Sequence, residues 1–435
     1  LRSTNRQNKK KPFKLIGLII LFSIILIGAT AFAINLAQGN DEAADSNGET
    51  QTVEESESEE SDNSEIEENN EEVDDTAEEI EEETFIDIRI SAVGDVMGHL
   101  SQVNSAYVPE TDTYDFTSVF EDVTPYISEA DLAIANLETT LAGSRLPYSG
   151  YPMFNTPDSI VDALDQAGFD TIITTNNHSL DTGFDGVNRT VEVIEEKGLD
   201  PVGTYASEPD SRVLIKDVQG IKVAILAYTE HLNGVDAAFS PEQVNAQINL
   251  ISEERIVSDI EEAKASEPDL IISFMHWGDE YQREPNEFQT NYAEFLTREG
   301  VDIIFGSHPH VIQGAEFLEV DGNESVVAYS LGNFVSNQRT ETLGEERAAT
   351  EDGVIFNVDV QKNEQTGETT IQGVDYTPTW VYRHMYEGDS EYTYRILPVE
   401  SALDSGEFNE TYQNRLRRSL EETNSRLNIE ESSEE

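Results

Sequence analysis

"VDIIFGSHPHVIQG", Val301 to Gly314, sets an apolar run directly against two histidines separated by a single proline. The whole chain contains only seven histidines. A short apolar run bounded by turn residues reads as a buried strand. Two imidazoles at i and i+2, at the mouth of such a strand, are either a local coincidence or half of a metal site. Pro309 limits the backbone between them and lets both rings converge.

Outward from this stretch the same design recurs. "IDIRISAVGD" (Ile86–Asp95), "DLAIAN" (Asp131–Asn136), "FDTIITT" (Phe169–Thr175) and "DLIISFMHW" (Asp269–Trp277) also read as strands. Helical patterns lie between them in "SIVDALDQAG" (Ser159–Gly168), "GVNRTVEVIEEKG" (Gly186–Gly198) and "SEERIVSDIEEAKA" (Ser252–Ala265). Strand–helix alternation with near-continuous apolar strands points to an α/β fold with buried sheet. Two segments, Arg212–Thr229 and Ala315–Gly332, carry a Gly-containing turn between β-rich halves and read as hairpins. With further strands at Asp352–Gln361 and Thr369–Val381, a mixed-sheet sandwich with helices outside fits better than a purely parallel doubly wound sheet.

Polar side chains gather at the strand ends. Asp95 follows the first strand, with His99 four residues on. Asn136 and Glu138 end the second, and Asn176, Asn177 and His178 follow the third. His276 ends "FMH", and His308 and His310 lie in the opening stretch. Ligand sites of open α/β sheets collect outside the carboxyl ends of the strands. Carboxylate, carboxamide and imidazole are the donors of a two-metal centre. Singly, each has an ordinary explanation: a turn after "GD", a capping loop at "NNH", a satisfied core histidine at His276. The coincidence of at least four histidines and two carboxylates at successive strand ends is what points to a site.

The composition narrows the rest. The formal charge of −62, from 88 acidic and 26 basic side chains, excludes a nucleic-acid partner, which needs a basic footprint. With no cysteine, thiolate metal sites and disulfides are excluded, and any metal must sit on His, Asp, Glu or Asn, favouring Mn, Fe, Zn or Mg. Residues 1–14 are basic, and residues 15–38 are uncharged and long enough to span a bilayer. They are expected to form a single-pass anchor with a cytoplasmic N-terminus and an extracytoplasmic main domain. Cleavage near "ATAFA" is the alternative, although the apolar run is long for a signal peptide. Residues 39–84, rich in Asp and Glu, are expected to be a disordered acidic tether. A domain over 85–398 then leads into a polar helical tail, 399–435, with Tyr412, Leu416 and Leu420 at i+4 spacing.

The ordered set "GDVM", "NLETT", "TTNNHSLD", "YTEHLNG", "MHWGDEY", "GVDIIFGSHPHVIQG" and "YSLGNF" resembles the bacterial CapA family of poly-γ-glutamate capsule synthesis. That family in turn resembles the calcineurin-like metallophosphoesterases. The resemblance implies a four-layer α/β architecture, a mixed β-sandwich flanked by helices, with two divalent ions at the strand ends. It implies Asp95, Glu138, Asn177, His276, His308 and His310 as metal ligands. Asn177 and His178 would be the catalytic pair, with His178 as acid or transition-state donor. Asn136, Asn233 and Asn333 fall in the motifs as candidate substrate contacts. Trp277 and Tyr281 either wall the pocket or close the core. Arg145 and Arg283 are basic candidates for holding an anionic group, with surface ion pairing as the plainer reading. His231 could join the pocket or be an ordinary loop histidine. The sequence departs from the phosphoesterase pattern in three places: Met97 stands where a histidine is usual, Glu138 replaces an aspartate, and no acidic residue directly follows "NNHS".

Three functions follow: a metal-dependent hydrolase acting on a phosphate ester or a γ-glutamyl link, a non-catalytic polymer-binding subunit of a capsule synthase and exporter, or a wall-facing spacer domain. The expected partners are poly-γ-glutamate or another anionic polymer, and membrane synthase or export subunits.

Overall fold

The structure, a computed structural model, describes residues 83–427 and residue 429. The expected basic segment, the membrane anchor, the acidic tether as far as residue 82 and the acidic end of the tail lie outside the described residues. Among the described residues no helix is long and apolar enough to cross a membrane.

In chain order the strands are β1 (Phe85–Val96), β2 (Tyr107–Val108), β3 (Thr113–Tyr114), β4 (Leu132–Leu137), β5 (Thr171–Ile173), β6 (Asp200–Val202), β7 (Leu214–Val218), β8 (Ile221–Thr229), β9 (Leu270–His276), β10 (Ile303–Ser307), β11 (Ala315–Val320), β12 (Asn323–Ala328), β13 (Asn333–Val335), β14 (Asp352–Asn363), β15 (Thr369–His384) and β16 (Thr393–Pro398). One sheet runs β16-β15-β14-β1-β4-β5-β6, with β13 also paired to β1; the second runs β11-β12-β10-β9-β8-β7. Both are mixed. β1, β4, β5 and β6 are parallel, as are β8, β9, β10 and β12, while the outer pairings are antiparallel.

Side-chain alternation sorts each strand between two cores. Ile88, Ile90 and Ala92 of β1 meet Ile272 and Phe274 of β9, and Ile303 and Phe305 of β10, in a core between the sheets. Val93, Ala133, Ala135 and Leu137 point to the other side, beneath Ile160, Val161 and Leu164 of the helix Ser159–Ala167. On the far side of the second sheet, Ile271 and Met275 pack with Ile256 and Ile260 of the helix Glu253–Ala265, and with Ala293 and Leu296 of the helix Glu287–Arg298. The order is therefore helices, sheet, sheet, helices. Strands covered on both faces have no polar face, which is why β4 and β9 read as near-continuous apolar runs.

The two expected hairpins are present. β7 and β8 turn through Gln219 (φ 52°) and Gly220 (φ 97°), and β11 and β12 through Asp321 (φ 54°) and Gly322 (φ 88°). Two successive left-handed residues make the turn whose twist matches that of the paired strands.

The tail helix Glu410–Arg426 lies against the first sheet's β15. Leu416 is fully buried with Trp380, Tyr382 and Phe408, and Tyr412 and Leu420 flank it. Its Arg415 pairs with the buried Glu351, and Arg418 reaches Asp352 at 2.9 Å. Leu427 enters the core between the sheets.

Parallel register is what builds a site. Asp95 on β1 lies opposite Asn136 on β4 and Asn333 on β13, while His276 on β9 lies opposite Thr229 on β8 and Ser307 on β10. The carboxyl ends of both sheets thus end in rows of polar residues.

Two outcomes test this packing. Leu416→Ala should cost about 2–5 kcal/mol in urea unfolding; an unchanged midpoint would show that the tail helix adds nothing to the domain. Asp302 accepts the Ile271 N–H at 2.7 Å, and burial pushes its carboxyl from 3.8 up to about 6. A raised carboxyl pKa contributes stability that is full below the unfolded value and is lost as pH rises through the folded one. Between pH 3.8 and about 6, wild type should therefore lose stability relative to Asp302→Asn; parallel pH curves would contradict it.

Candidate metal centre

Asp95 is the penultimate residue of β1, where the register against β4 slips between Val93 and Asp95 and that against β13 between Asp95 and Val96. The slip is possible because Gly94 carries no side chain: a Cβ there would stand 2.0 Å from the Gly332 carbonyl oxygen. That carbonyl accepts the Asp95 N–H at 3.0 Å. Asn136 then donates to Asp95 Oδ1 at 2.8 Å, and His310 Nδ1 stands 2.9 Å from Oδ2. Asn333 Oδ1 shares the same imidazole nitrogen at 3.1 Å.

Glu138 is 0% exposed, and neither carboxylate oxygen has a hydrogen-bond partner. Three imidazoles nonetheless surround its Oε1: His310 Nε2 at 3.8 Å, His178 Nε2 at 3.9 Å and His276 Nε2 at 4.0 Å. These separations are too long for hydrogen bonds. They suit donors sharing one ion, since metal–donor bonds of about 2.0–2.2 Å allow such atoms to lie up to about 4.4 Å apart. One ligand atom from each of Asp95, Glu138 and His310 falls within 4.8 Å of the other two. Burial, then the neighbouring Asp95, pushes the Glu138 carboxyl well above its ordinary value. An anion without a donor in a dry pocket is stable only if a cation meets it or a proton neutralises it. The donor set therefore fits a divalent ion.

A second group adjoins it. His276 Nε2 lies 3.1 Å from Asn177 Oδ1, and its Nδ1 is held by Ser307 Oγ at 2.8 Å. The His308 ring packs 4.8 Å from that of His276, and His308 Nδ1 is buried without a partner. Burial first, then the neighbouring imidazoles, hold both His276 and His308 well below the ordinary histidine range, as neutral donors. For His310 burial opposes the proton, but Asp95 outweighs it and the net shift is upward.

The "HPH" turn brings its rings together at a conformational cost. His308 has φ 98° and His310 φ 58°, and the facing Tyr281 (φ 66°) and Asn233 (φ 53°) are also left-handed. Side-chain-bearing residues held there cost roughly 1–3 kcal/mol each and cluster at functional sites. The Tyr281 N–H is tied to the Pro309 carbonyl at 2.7 Å.

Asp95, Glu138, Asn177, His178, His276, His308 and His310 all converge. Asn136 and Asn333 lie behind this group and steady Asp95 and His310. Asn233 is exposed at the rim, 3.5 Å from Asn177 Nδ2. Exposed His231 packs edge-on to His308 at 5.1 Å between ring centres. Tyr281 is half-buried, 6.0 Å from the His310 ring. Trp277 does not wall the pocket: it is fully buried in the outer core and donates to the Tyr329 carbonyl at 3.0 Å. Next to His276 in the chain, it points to the other side of the sheet. Arg145 sits on an exposed loop, and Arg283 is paired with Glu422 at 2.7 Å. His99 packs on Phe154, its Nδ1 beside Gln102 Oε1 at 3.2 Å, and burial lowers its pKa to about 4.

Two partners went unnoticed in the sequence. Asp181 Oδ2 lies 2.8 Å from His178 Nδ1, so a carboxylate three residues past His178 stands in for the one missing directly after "NNHS". The i+3 spacing of "HSLD" was the available signal. Ser307, which orients His276, reads as an ordinary turn serine and gave none.

Buried carboxylates and imidazoles that converge from the parallel strand ends of two facing sheets define an α/β domain with the donor set of a divalent-metal protein. Residues 89–338 match the family described as "Bacterial capsule synthesis protein PGA_cap". The chain belongs to that family. The capsule biosynthesis protein CapA of Bacillus anthracis is 28% identical over 258 residues, covering 58% of this chain and 60% of that protein's length. The PGA biosynthesis protein CapA of Bacillus subtilis (strain 168) is 29% identical over 300 residues, or 67% and 73% of the two chains. Among solved structures, the calcineurin-like phosphoesterase YfkN from Bacillus subtilis is similar at a TM-score of 0.41 and 15% identity, covering 78% of this chain and 100% of that one.

Glu138→Gln tests the pocket without reference to any activity. The substitution removes a desolvated anion, so in chelator the variant should unfold at the same temperature as wild type or higher. Added Mn²⁺ should raise the wild-type midpoint and leave the variant's nearly unmoved. Equal metal-induced shifts in both proteins would contradict a role for Glu138 in holding the ion.

Proposed function

We propose that the chain is a membrane-anchored, extracytoplasmic participant in the synthesis or export of a poly-γ-glutamate capsule polymer, acting through a centre of two divalent ions. The unpartnered Glu138 carboxylate among three imidazole nitrogens carries this reading. Asp95, Glu138 and His310 would hold one ion, and Asn177, His276 and His308 the other, with Glu138 shared. Mn, Fe, Zn and Mg suit these donors. Family membership supports the capsule role, and the basic and apolar N-terminal residues support the anchor. The partners on this reading are the anionic polymer and the membrane subunits that make or export it. A polyanion approaching a chain of net charge −62 favours bridging cations at the contact.

A second reading, a metal-dependent phosphoesterase or γ-glutamyl hydrolase, is favoured by one specific feature. Asp181 accepts the Nδ1–H of His178, so the His178 Nε2 facing Glu138 can take up or deliver a proton. When bound, a divalent ion supplies Lewis-acid polarisation of an acyl or phosphoryl oxygen. Asn177 and His178 would orient the group to be cleaved, and the buried walls would exclude bulk water. A site that only gripped polymer has no need of such a proton-carrying pair.

Metal content of the purified full chain tests both readings. Wild type should hold about two equivalents, and His308→Ala with His310→Ala should lose them. A wild-type chain that stays folded and retains no divalent ion after exposure to Mn²⁺ and Zn²⁺ would refute the centre. If metal is held, cleavage of phosphodiesters or of poly-γ-glutamate that is lost in His178→Ala separates the hydrolase from the non-catalytic subunit.

A further inference from the structure

Arginine is heavily committed in this acidic domain. Arg89, Arg189 and Arg395 each lie in ion pairs at 2.6–2.8 Å, and Arg415 is gripped by Glu341 and Glu351. Among the described residues, the guanidinium groups without a hydrogen bond or ion pair are those of Arg145, on its exposed loop, and Arg347. Arg347 lies on the 3-10 segment Glu345–Glu351 and is partly exposed. Its Cζ stands 4.4 Å from the centre of the Tyr281 ring. That ring lies 6.0 Å from His310, and the Tyr281 backbone is held in its left-handed conformation by Pro309. A run of neighbouring groups therefore leads outward from the centre, His310 to the tilted Tyr281 ring to Arg347.

Carboxylates outnumber cations more than threefold here, yet neither Glu345 nor Glu346, just before Arg347 in the chain, forms an ion pair with it, so its position is not explained by charge pairing. Stacking on Tyr281 fixes the plane of the guanidinium and leaves its N–H edges free for a ligand. That fork matches the two oxygens of a carboxylate or phosphate. We propose that Arg347, braced by Tyr281, is the anion-recognising residue of this site, taking a substrate oxyanion next to the group held at the centre. The proposal rests on the metal-centre reading for the identity of the site, but not for the chemistry of Arg347. The shared ligand chemistry is an oxyanion, and its two sources are a glutamyl carboxylate and a phosphate.

Calorimetric titration of a γ-linked glutamate oligomer, and separately of inorganic phosphate, into the full chain distinguishes them. Wild type, Arg347→Ala and Arg347→Lys would be compared in Mn²⁺ and in chelator, with the metal content of each measured. Loss of the fork should weaken one probe by about tenfold or more in Arg347→Ala, with metal content unchanged. Arg347→Lys should recover only part, because it restores charge without the paired N–H groups. The probe that weakens identifies the source. Equal affinity of wild type and Arg347→Ala for both probes, or no binding of either probe to wild type, overturns the proposal. A chain that binds no metal yet still loses probe affinity in Arg347→Ala would refute the centre and leave this assignment standing.

Discussion

A carboxylate with no exposure and no hydrogen-bond donor is the constraint around which this domain is organised. Desolvation alone makes a charged Glu138 untenable, and the adjacent Asp95 worsens it. Three imidazoles close by do not relieve it, since their Nε2 atoms stand beyond hydrogen-bonding distance. The pocket persists because its walls are not free to collapse onto it. Glu138 follows β4 directly, its N–H bonded to the Val96 carbonyl at 2.9 Å. His276 ends β9, and both strands lie in the core between the sheets. A carboxylate so placed in a flexible region would move out to water; here Glu138 is fixed directly after a buried strand.

The same rigidity holds the strained "HPH" turn. Left-handed φ at His308 and His310 is disfavoured locally, yet β10 before them is fully buried and Ile312 beyond them bridges to Leu331. The chain is pinned on both sides of the turn. Strain of this kind is tolerated where the surroundings over-determine the backbone, and its result is that two rings six ångströms apart face two different parts of one pocket. Pro309 contributes twice, by restricting φ and by offering the carbonyl that positions Tyr281.

Much of this was legible in the sequence, for a physical reason. Buried parallel strands show as apolar runs, and a ligand site at strand ends places its residues directly after those runs. Asp95, Glu138, His276, His308 and His310 could therefore be found by position alone. What could not be found acts across tertiary distance. Ser307 supports His276 from a neighbouring strand, and Arg347 reaches Tyr281 from a segment with no strand or helix signal. For Trp277 the sequence leaves pocket and core both open, and period-two alternation decides for the core, since consecutive residues go to opposite faces. The tail reads as a polar helix in the sequence, and of its i+4 residues Leu416 is buried while Tyr412 and Leu420 are half-buried beside it. The partners of that stripe, Trp380 and Tyr382, are remote in the chain and only the fold shows them.

The three departures from the phosphoesterase pattern also look different in three dimensions. The two methylenes of Glu138 carry its Oε1 to within 4.0 Å of the imidazoles of His178, His276 and His310. The absent acid after "NNHS" is replaced in space by Asp181, whose Oδ2 both receives the Phe154 N–H at 2.6 Å and holds His178. Met97 is the one departure without a substitute. His99, the nearest imidazole in sequence, has its Nδ1 occupied by Gln102 and the Asn337 N–H, and burial keeps it neutral. The carboxylate and imidazole donors that group within 4.8 Å of one another are those of Asp95, Glu138 and His310. Three protein donors would leave part of an ion's coordination open to an oxygen from outside the chain.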